Sequence, residues 1–235
     1  MPTEEIGFTG GEPFMNPELC AMIGAGLARG FRVLVLTNAM KPMMKVRDAL
    51  LAVKAQDNAR RLTIRVSIDH YTKDMHELER GKHSWTPMLA GLHWLVSNGF
   101  EVHVAARSFT SQSEADIRKG FARLFARQRI PIDAADPVRL VVFPEMDEHV
   151  DVPEITMACW GILKKSPDAM MCASSRMVVK RKGADGPAVV ACTLLPYDPQ
   201  FELGTTLAEA AGPVPLNHPH CAKFCVLGGG SCSKS

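Results

Sequence analysis

Two groups of residues in this 235-residue chain have types and spacing suited to chemistry. The first is Ile6-Gly7-Phe8-Thr9-Gly10-Gly11-Glu12-Pro13, followed at once by Phe14-Met15-Asn16-Pro17-Glu18. Glu4 to Thr9 reads as a short strand that the Gly-Gly pair ends, and Pro13 holds φ at about −65° beside the Glu12 carboxylate. Such a turn presents backbone groups and one acid at the C-terminal edge of a strand, where α/β sheets bind small polar ligands. The same residues also fit a plain strand-to-helix connection with an incidental acid. The second group is the cysteines. Cys20 stands alone in the first 158 residues, whereas Cys159, Cys172, Cys192, Cys221, Cys225 and Cys232 crowd into the remainder. In a chain without an export signal, that crowding points to metal or iron–sulfur ligation before disulfides.

The cysteines have a local setting. Arg176 to Lys180 and Pro187 to Cys192 read as a hairpin around Gly183-Ala184-Asp185-Gly186, with Cys172 and Cys192 on its two sides. A later stretch brings His218-Pro219-His220-Cys221, Cys225, Gly228-Gly229-Gly230 and Cys232. Thiolates neutralise an iron core, and glycines let backbone N–H groups approach its sulfides. Four ligands are needed and five are offered. Cys172, Cys192, Cys225 and Cys232 form the expected set, Cys221 is the competitor, and Cys159 is structural. A tetrahedral zinc site on four of the same thiols is the alternative.

The elements that must position these residues alternate between strand and helix. Apolar, β-branched runs near residues 4, 32, 62, 100 and 138 read as five buried strands, with connections long enough for right-handed parallel crossovers. Asn16, Pro17 and Glu18 suit the start of a helix that Gly30 closes. Further helices are expected over 43–57, 85–97 and from Ser113 onward, the last with Ile117, Phe121, Leu124 and Phe125 inward and Arg118, Lys119, Arg123 and Arg127 on a solvated face. Asn38, Ser67, Asp69 and Arg107 then fall at the C-terminal edges of successive strands. His70, Tyr71, His76 and His83 match no regular metal-ligand spacing. After Pro144 the periodicity fails, so the boundary is placed between 1–145 and 146–235.

A net charge of +2 and the lack of a basic run do not suggest nucleic-acid binding. No apolar run reaches the length of a membrane span, so no membrane partner is expected and the default compartment is the cytoplasm.

Gly10-Gly11-Glu12-Pro13 resembles the GGEP motif of the radical S-adenosylmethionine (radical SAM) family. Ser67-Ile68-Asp69-His70, Glu79-Arg80-Gly81, Gly91-Leu92 and Asn98-Gly99 resemble, in the same order, later signatures of the branch with a C-terminal SPASM or twitch region. The resemblance implies an α/β fold, a partial (β/α)6 TIM-like barrel lacking its first βα unit, followed by a small cysteine-rich hairpin and loop domain. It implies that Gly10, Gly11, Glu12 and Pro13 hold the methionine amine of S-adenosylmethionine, and that Ser67 and Asp69 lie in the ribose region. It further implies that Arg107 meets the cofactor's carboxylate or ribose and that Asn38 stands in a turn related to Thr-Asn-Gly, with Ala39 in place of the glycine. One auxiliary 4Fe-4S cluster follows from the tail. The family's C-x3-C-x2-C triad, which binds the cofactor-cleaving cluster, does not occur in the nine residues before Gly10. A second 4Fe-4S cluster is therefore expected only in a longer, full-length protein. A reductant such as flavodoxin or ferredoxin and a peptide or small-molecule substrate complete the expectation. The competing reading is a non-catalytic barrel module with an electron-transfer iron–sulfur or structural zinc site.

Overall fold

The computed structural model describes residues 3–57, 59–108, 112–145, 149 and 151–228. The chain divides into two compact units, Met1–Glu145 and Met146–Lys234.

The first unit is built on five parallel strands in sequential order: β1 (Glu5–Phe8), β2 (Arg32–Thr37), β3 (Leu62–Ser67), β4 (Glu101–Arg107) and β5 (Leu140–Phe143). Helices α1 (Leu19–Ala28), α2 (Lys41–Lys45), α3 (Arg47–Gln56), α4 (Lys73–Arg80), α5 (Trp85–Ser97) and α6 (Glu114–Gln128) connect them. Two boundaries differ from the sequence reading. Pro13–Met15 forms a three-ten turn, the Asn16 side chain accepts from the Glu18 N–H, and α1 begins only at Leu19. The helix expected over 43–57 starts earlier, beside Pro42, and breaks at Val46 into α2 and α3.

Register fixes what each face of the sheet carries. Val33 pairs with Leu62, Val35 with Ile64, Ile64 with Val102 and Val66 with Val104, and all of them belong to the core that the helices cover with Ile23, Leu27, Leu50, Leu92, Leu95 and Phe121. Side chains alternate along a strand, so the opposite face carries Leu34 and Leu36 of β2, Thr63, Arg65 and Ser67 of β3, and Glu101, His103, Ala105 and Arg107 of β4. Leu34 and Leu36 make β2 apolar on both faces, so its run reads as continuous, whereas Thr63, Arg65 and Ser67 make β3 alternate.

Arg65 is fully buried beside its register partner His103. Burial, then the Arg65 charge, holds the His103 imidazole below its usual pKa, although Glu101 at 3.4 Å pulls the other way. Burial likewise lowers His76, packed edge-on to Trp85 with ring centroids 5.4 Å apart. A histidine kept neutral by the fold supports stability above its unfolded value of about 6.5, and that support is lost as pH falls toward the lower folded value. The barrel unit is therefore expected to unfold at lower urea at pH 5.5 than at pH 7.5, with each histidine contributing at most about 1.4 kcal/mol per pH unit. His103→Gln should flatten the profile, and an equally steep profile in that variant would refute the assignment.

The second unit has α7 (Ala158–Leu163), α8 (Met171–Ser174) and an antiparallel sheet of β6 (Met177–Val179), β7 (Ala188–Val190) and β8 (Glu202–Gly204). The hairpin around 183–186 is thus β6–β7, and β8 adds a third strand that the sequence reading left out. Cys221–Leu227 forms a π-helix where a loop was expected. Among the described residues, no helix is long and apolar enough to cross a membrane.

Candidate functional site

At the C-terminal ends of β1 and β2, the Glu12 carboxylate is held from three directions. Its Oε1 accepts from the Phe14 N–H at 3.1 Å and the Thr37 hydroxyl at 2.8 Å, and its Oε2 accepts from the Asn38 N–H at 2.8 Å. The turn that allows this has Gly10 at φ +135° and Pro13 at the head of the three-ten turn. An ionised carboxylate offers about four lone-pair positions, so three donors fix its orientation and leave one side able to accept an ammonium. Asn38 does not offer its side-chain oxygen to a ligand, since that atom accepts from the Met40 N–H at 2.9 Å. Ala39, at φ +56°, occupies the left-handed region that a glycine would occupy without strain. Thr37 was not singled out from sequence. Its contact with Glu12 spans 25 positions, so only the β1–β2 pairing reveals it.

The next strand ends carry two crossed ion pairs. Asp69, 3% exposed, is gripped by both Arg80 Nε and Arg80 Nη2, the latter at 3.2 Å. Arg107 donates from Nη1 to Glu79 at 2.8 Å, and its backbone N–H donates to the Asp69 carbonyl at 3.0 Å. The last two residues of α4 therefore clamp the ends of β3 and β4. Arg80-Gly81, which from sequence reads as the end of a loop, instead ends helix α4, and the Arg80 side chain closes over Asp69. Asp69 and Arg107, two of the side chains expected at the cofactor, thus have protein partners, while Ser67, a third, sits half-buried at the end of β3. Arg80→Ala would leave the Asp69 carboxylate buried without its cation. The expected loss is about 3 kcal/mol, toward the low end for a buried pair because Arg80 is itself 35% exposed. Adding Asp69→Asn should recover most of it. A urea midpoint unchanged by Arg80→Ala would contradict the pairing.

In the second unit, one pocket is lined by Cys172 at α8, Cys192 just after β7, and Cys221 and Cys225 on the π-helix, with His220 beside them. A π-helix has a wider turn than an α-helix, so residues four apart share a face more nearly, and such helices recur at functional sites. Burial pushes the Cys221 thiol up to about 11, with Cys192 and Cys172 adding to the effect. Burial and Cys192 also raise Cys172. Arg176 ties the frame together, donating to the carbonyls of Cys172 at 2.5 Å, Ala210 at 2.7 Å and Gly212 at 3.0 Å. Cys232 lies outside the described residues. Cys159 stands elsewhere, accepting from the Thr156 N–H at the start of α7. Among the described residues no three His, Cys, Asp or Glu groups converge tightly enough to hold a single metal ion. The four thiols instead line one small cavity of about 20 Å³.

Comparison with known proteins places the first unit. No curated protein matches the chain. Residues 1–117 match the Radical SAM superfamily model. Among solved structures, anSMEcpe with bound AdoMet and the Kp18Cys peptide is 13% identical, with a TM-score of 0.58 over 88% of this chain and 66% of that one. A histidine-tagged form of anSMEcpe with bound AdoMet gives 14% and 0.59 over 89% and 63%. Streptococcus suis SuiB is 13% identical, with a TM-score of 0.46 over 66% of this chain and 33% of that one. The chain thus spans one third to two thirds of the solved chains it resembles. Its five parallel strands and their crossover helices form a partial TIM-like barrel, of which residues 1–117 are similar to the Radical SAM superfamily.

Proposed function

We propose that this chain belongs to a radical SAM enzyme of the SPASM or twitch branch that acts on a peptide or small-molecule substrate and carries one auxiliary 4Fe-4S cluster. The observation that supports it most is the Glu12 carboxylate, oriented by Phe14, Thr37 and Asn38 at a strand end within the matched domain. Glu12 fits the amine of S-adenosylmethionine, because a fixed anion with one open lone-pair position makes a charge-assisted hydrogen bond to an ammonium. Gly10 and Gly11 have open space where a side chain would stand, which lets a ligand approach the backbone. Ser67, half-buried at the end of β3, would meet ribose hydroxyls. Asp69 and Arg107 serve the cofactor only insofar as α4 releases them, and otherwise set the position of the β3 and β4 ends. Glu12, Gly10 and Gly11 would hold S-adenosylmethionine, which on one-electron reduction would supply radical chemistry for hydrogen abstraction from substrate. In the tail, Cys172, Cys192, Cys221 and Cys225 would hold the auxiliary cluster, and Arg176 would fix Cys172 in place. A flavodoxin or ferredoxin would provide electrons.

The test is iron, sulfide and zinc content after anaerobic purification, with EPR of the reduced protein taken with and without S-adenosylmethionine. About four irons and four sulfides per chain are expected, with a signal indifferent to S-adenosylmethionine. Residues 1–235 contain no C-x3-C-x2-C run, so this chain alone should release no 5′-deoxyadenosine above a no-protein control under dithionite. One zinc with no sulfide would overturn the cluster assignment in favour of a zinc-stapled module.

A further inference from the structure

A second cavity of the barrel unit lies between the segment that follows β3 and helix α6. It measures about 390 Å³ and is lined by Tyr71, Thr72 and Lys73 at the start of α4 and by Gly120, Arg123, Leu124 and Arg127 of α6. Its floor is apolar. A Cβ on Gly120 would stand 2.4 Å from the Tyr71 ring, so glycine there lets the ring lie directly against α6. The ring is pinned in that position by stacking on His70 at 4.1 Å and by the Gln112 amide, which donates to its hydroxyl at 3.0 Å.

The rim is basic, and no carboxylate lines the cavity. Elsewhere on α6 the cations are matched: Arg118 pairs with Glu114 at 2.7 Å and Lys119 with Asp116 at 3.5 Å. Asp116, whose carboxyl is held below the usual range chiefly by the Ser113 hydroxyl, also feels Arg123 but is already engaged by Ser113 and Lys119. Among the described residues Lys73, Arg123 and Arg127 have no carboxylate within ion-pair distance. Like charges one turn apart on a helix repel, so Arg123 and Arg127 beside Lys73 form a site that a dianion would neutralise. Guanidinium forks match phosphate oxygens, and a cavity of this size admits a small organic body.

We propose that this groove binds a phosphate monoester of a small molecule, its phosphate among Lys73, Arg123 and Arg127 and its apolar body on Tyr71 and Leu124. The proposal does not rest on the reading of the strand ends.

Titration calorimetry of the chain at a fixed ionic strength of about 0.15 M tests this, since screening suppresses diffuse attraction. The probes are phenyl phosphate, inorganic phosphate and phenol. Phenyl phosphate should saturate the chain and bind at least about tenfold tighter than either fragment. Arg123→Gln with Arg127→Gln should weaken it by at least about tenfold, and Lys73→Gln, on the other element, should weaken it in the same direction, because each removes a charged partner of the phosphate. These positions are exposed, so the melting temperature of the free variants should hardly move. The proposal fails if phenyl phosphate does not saturate, if the double variant binds it as well as the parent, or if inorganic phosphate binds equally tightly.

Discussion

Gly91→Ala is expected to lower the stability of the barrel unit by about 3 kcal/mol or more, and the melting temperature by about 10 °C. A Cβ on Gly91 would stand 1.7 Å from the Ala39 carbonyl oxygen, 2.8 Å from its carbonyl carbon and 3.1 Å from its Cβ. These are mostly backbone atoms, so no side-chain rotation relieves the overlap, and either α5 or the turn after β2 must move. The change gains about 1 kcal/mol of helix propensity, which the overlap exceeds. The displaced turn is also the one that orients the acid. Asn38, whose N–H binds Glu12, immediately precedes Ala39, so the variant should lose S-adenosylmethionine binding in whatever longer form of the protein shows it. Gly24→Ala is the control: it lies in α1 with its nearest neighbour, Val53 Cγ2, 3.9 Å from the added Cβ, and should be neutral or stabilising by about 0.5–1 kcal/mol. Urea melts of the three proteins decide the matter. A Gly91→Ala midpoint equal to that of Gly24→Ala would show that α5 does not press on this turn.

Cys221→Ser should reduce iron from about four per chain to less than one, since a cluster missing one of four thiolates is rarely retained. Cys221 is 8% exposed and lines the same pocket as Cys172, Cys192 and Cys225. From spacing alone it was the competitor to Cys232. Its place on the π-helix, lining one pocket with the other three, is why it is proposed as a member of the set. Cys232→Ser should keep its iron and sulfide within error of the parent. The opposite pair of results, with iron retained in Cys221→Ser and lost in Cys232→Ser, would restore the ligand set expected from spacing alone. Near-ultraviolet circular dichroism of both apo proteins separates loss of ligation from loss of fold.

Much of the barrel unit was legible because its signals are local. The runs 33–36, 62–68 and 102–106 are rich in apolar and β-branched residues, as buried parallel strands are, and the structure places strands at all of them. Helix α5 ends at Asn98 and Gly99 where the sequence suggested. Where local signals competed, boundaries moved: the Asn16 side chain caps Glu18 within a turn, and Val46 breaks a run that is helical on either side.

The residues that could carry chemistry were also nameable from type and position. Glu12 beside a Gly-Gly turn, Ser67 and Asp69 two apart at a strand end, and a thiol-rich tail are all properties of short segments. What those residues touch is not. Thr37 and the Asn38 N–H reach Glu12 across 25 and 26 positions, Arg80 closes on Asp69 from the far end of α4, and Cys221 joins Cys172 and Cys192 across the hairpin. By itself the sequence determined the order of strands and helices and the chemical inventory at their ends, because periodicity and turn residues act over a few positions. Tertiary structure alone decided which acid is held open for a ligand and which is closed by an arginine, because those contacts join segments whose meeting depends on the packing of the whole sheet.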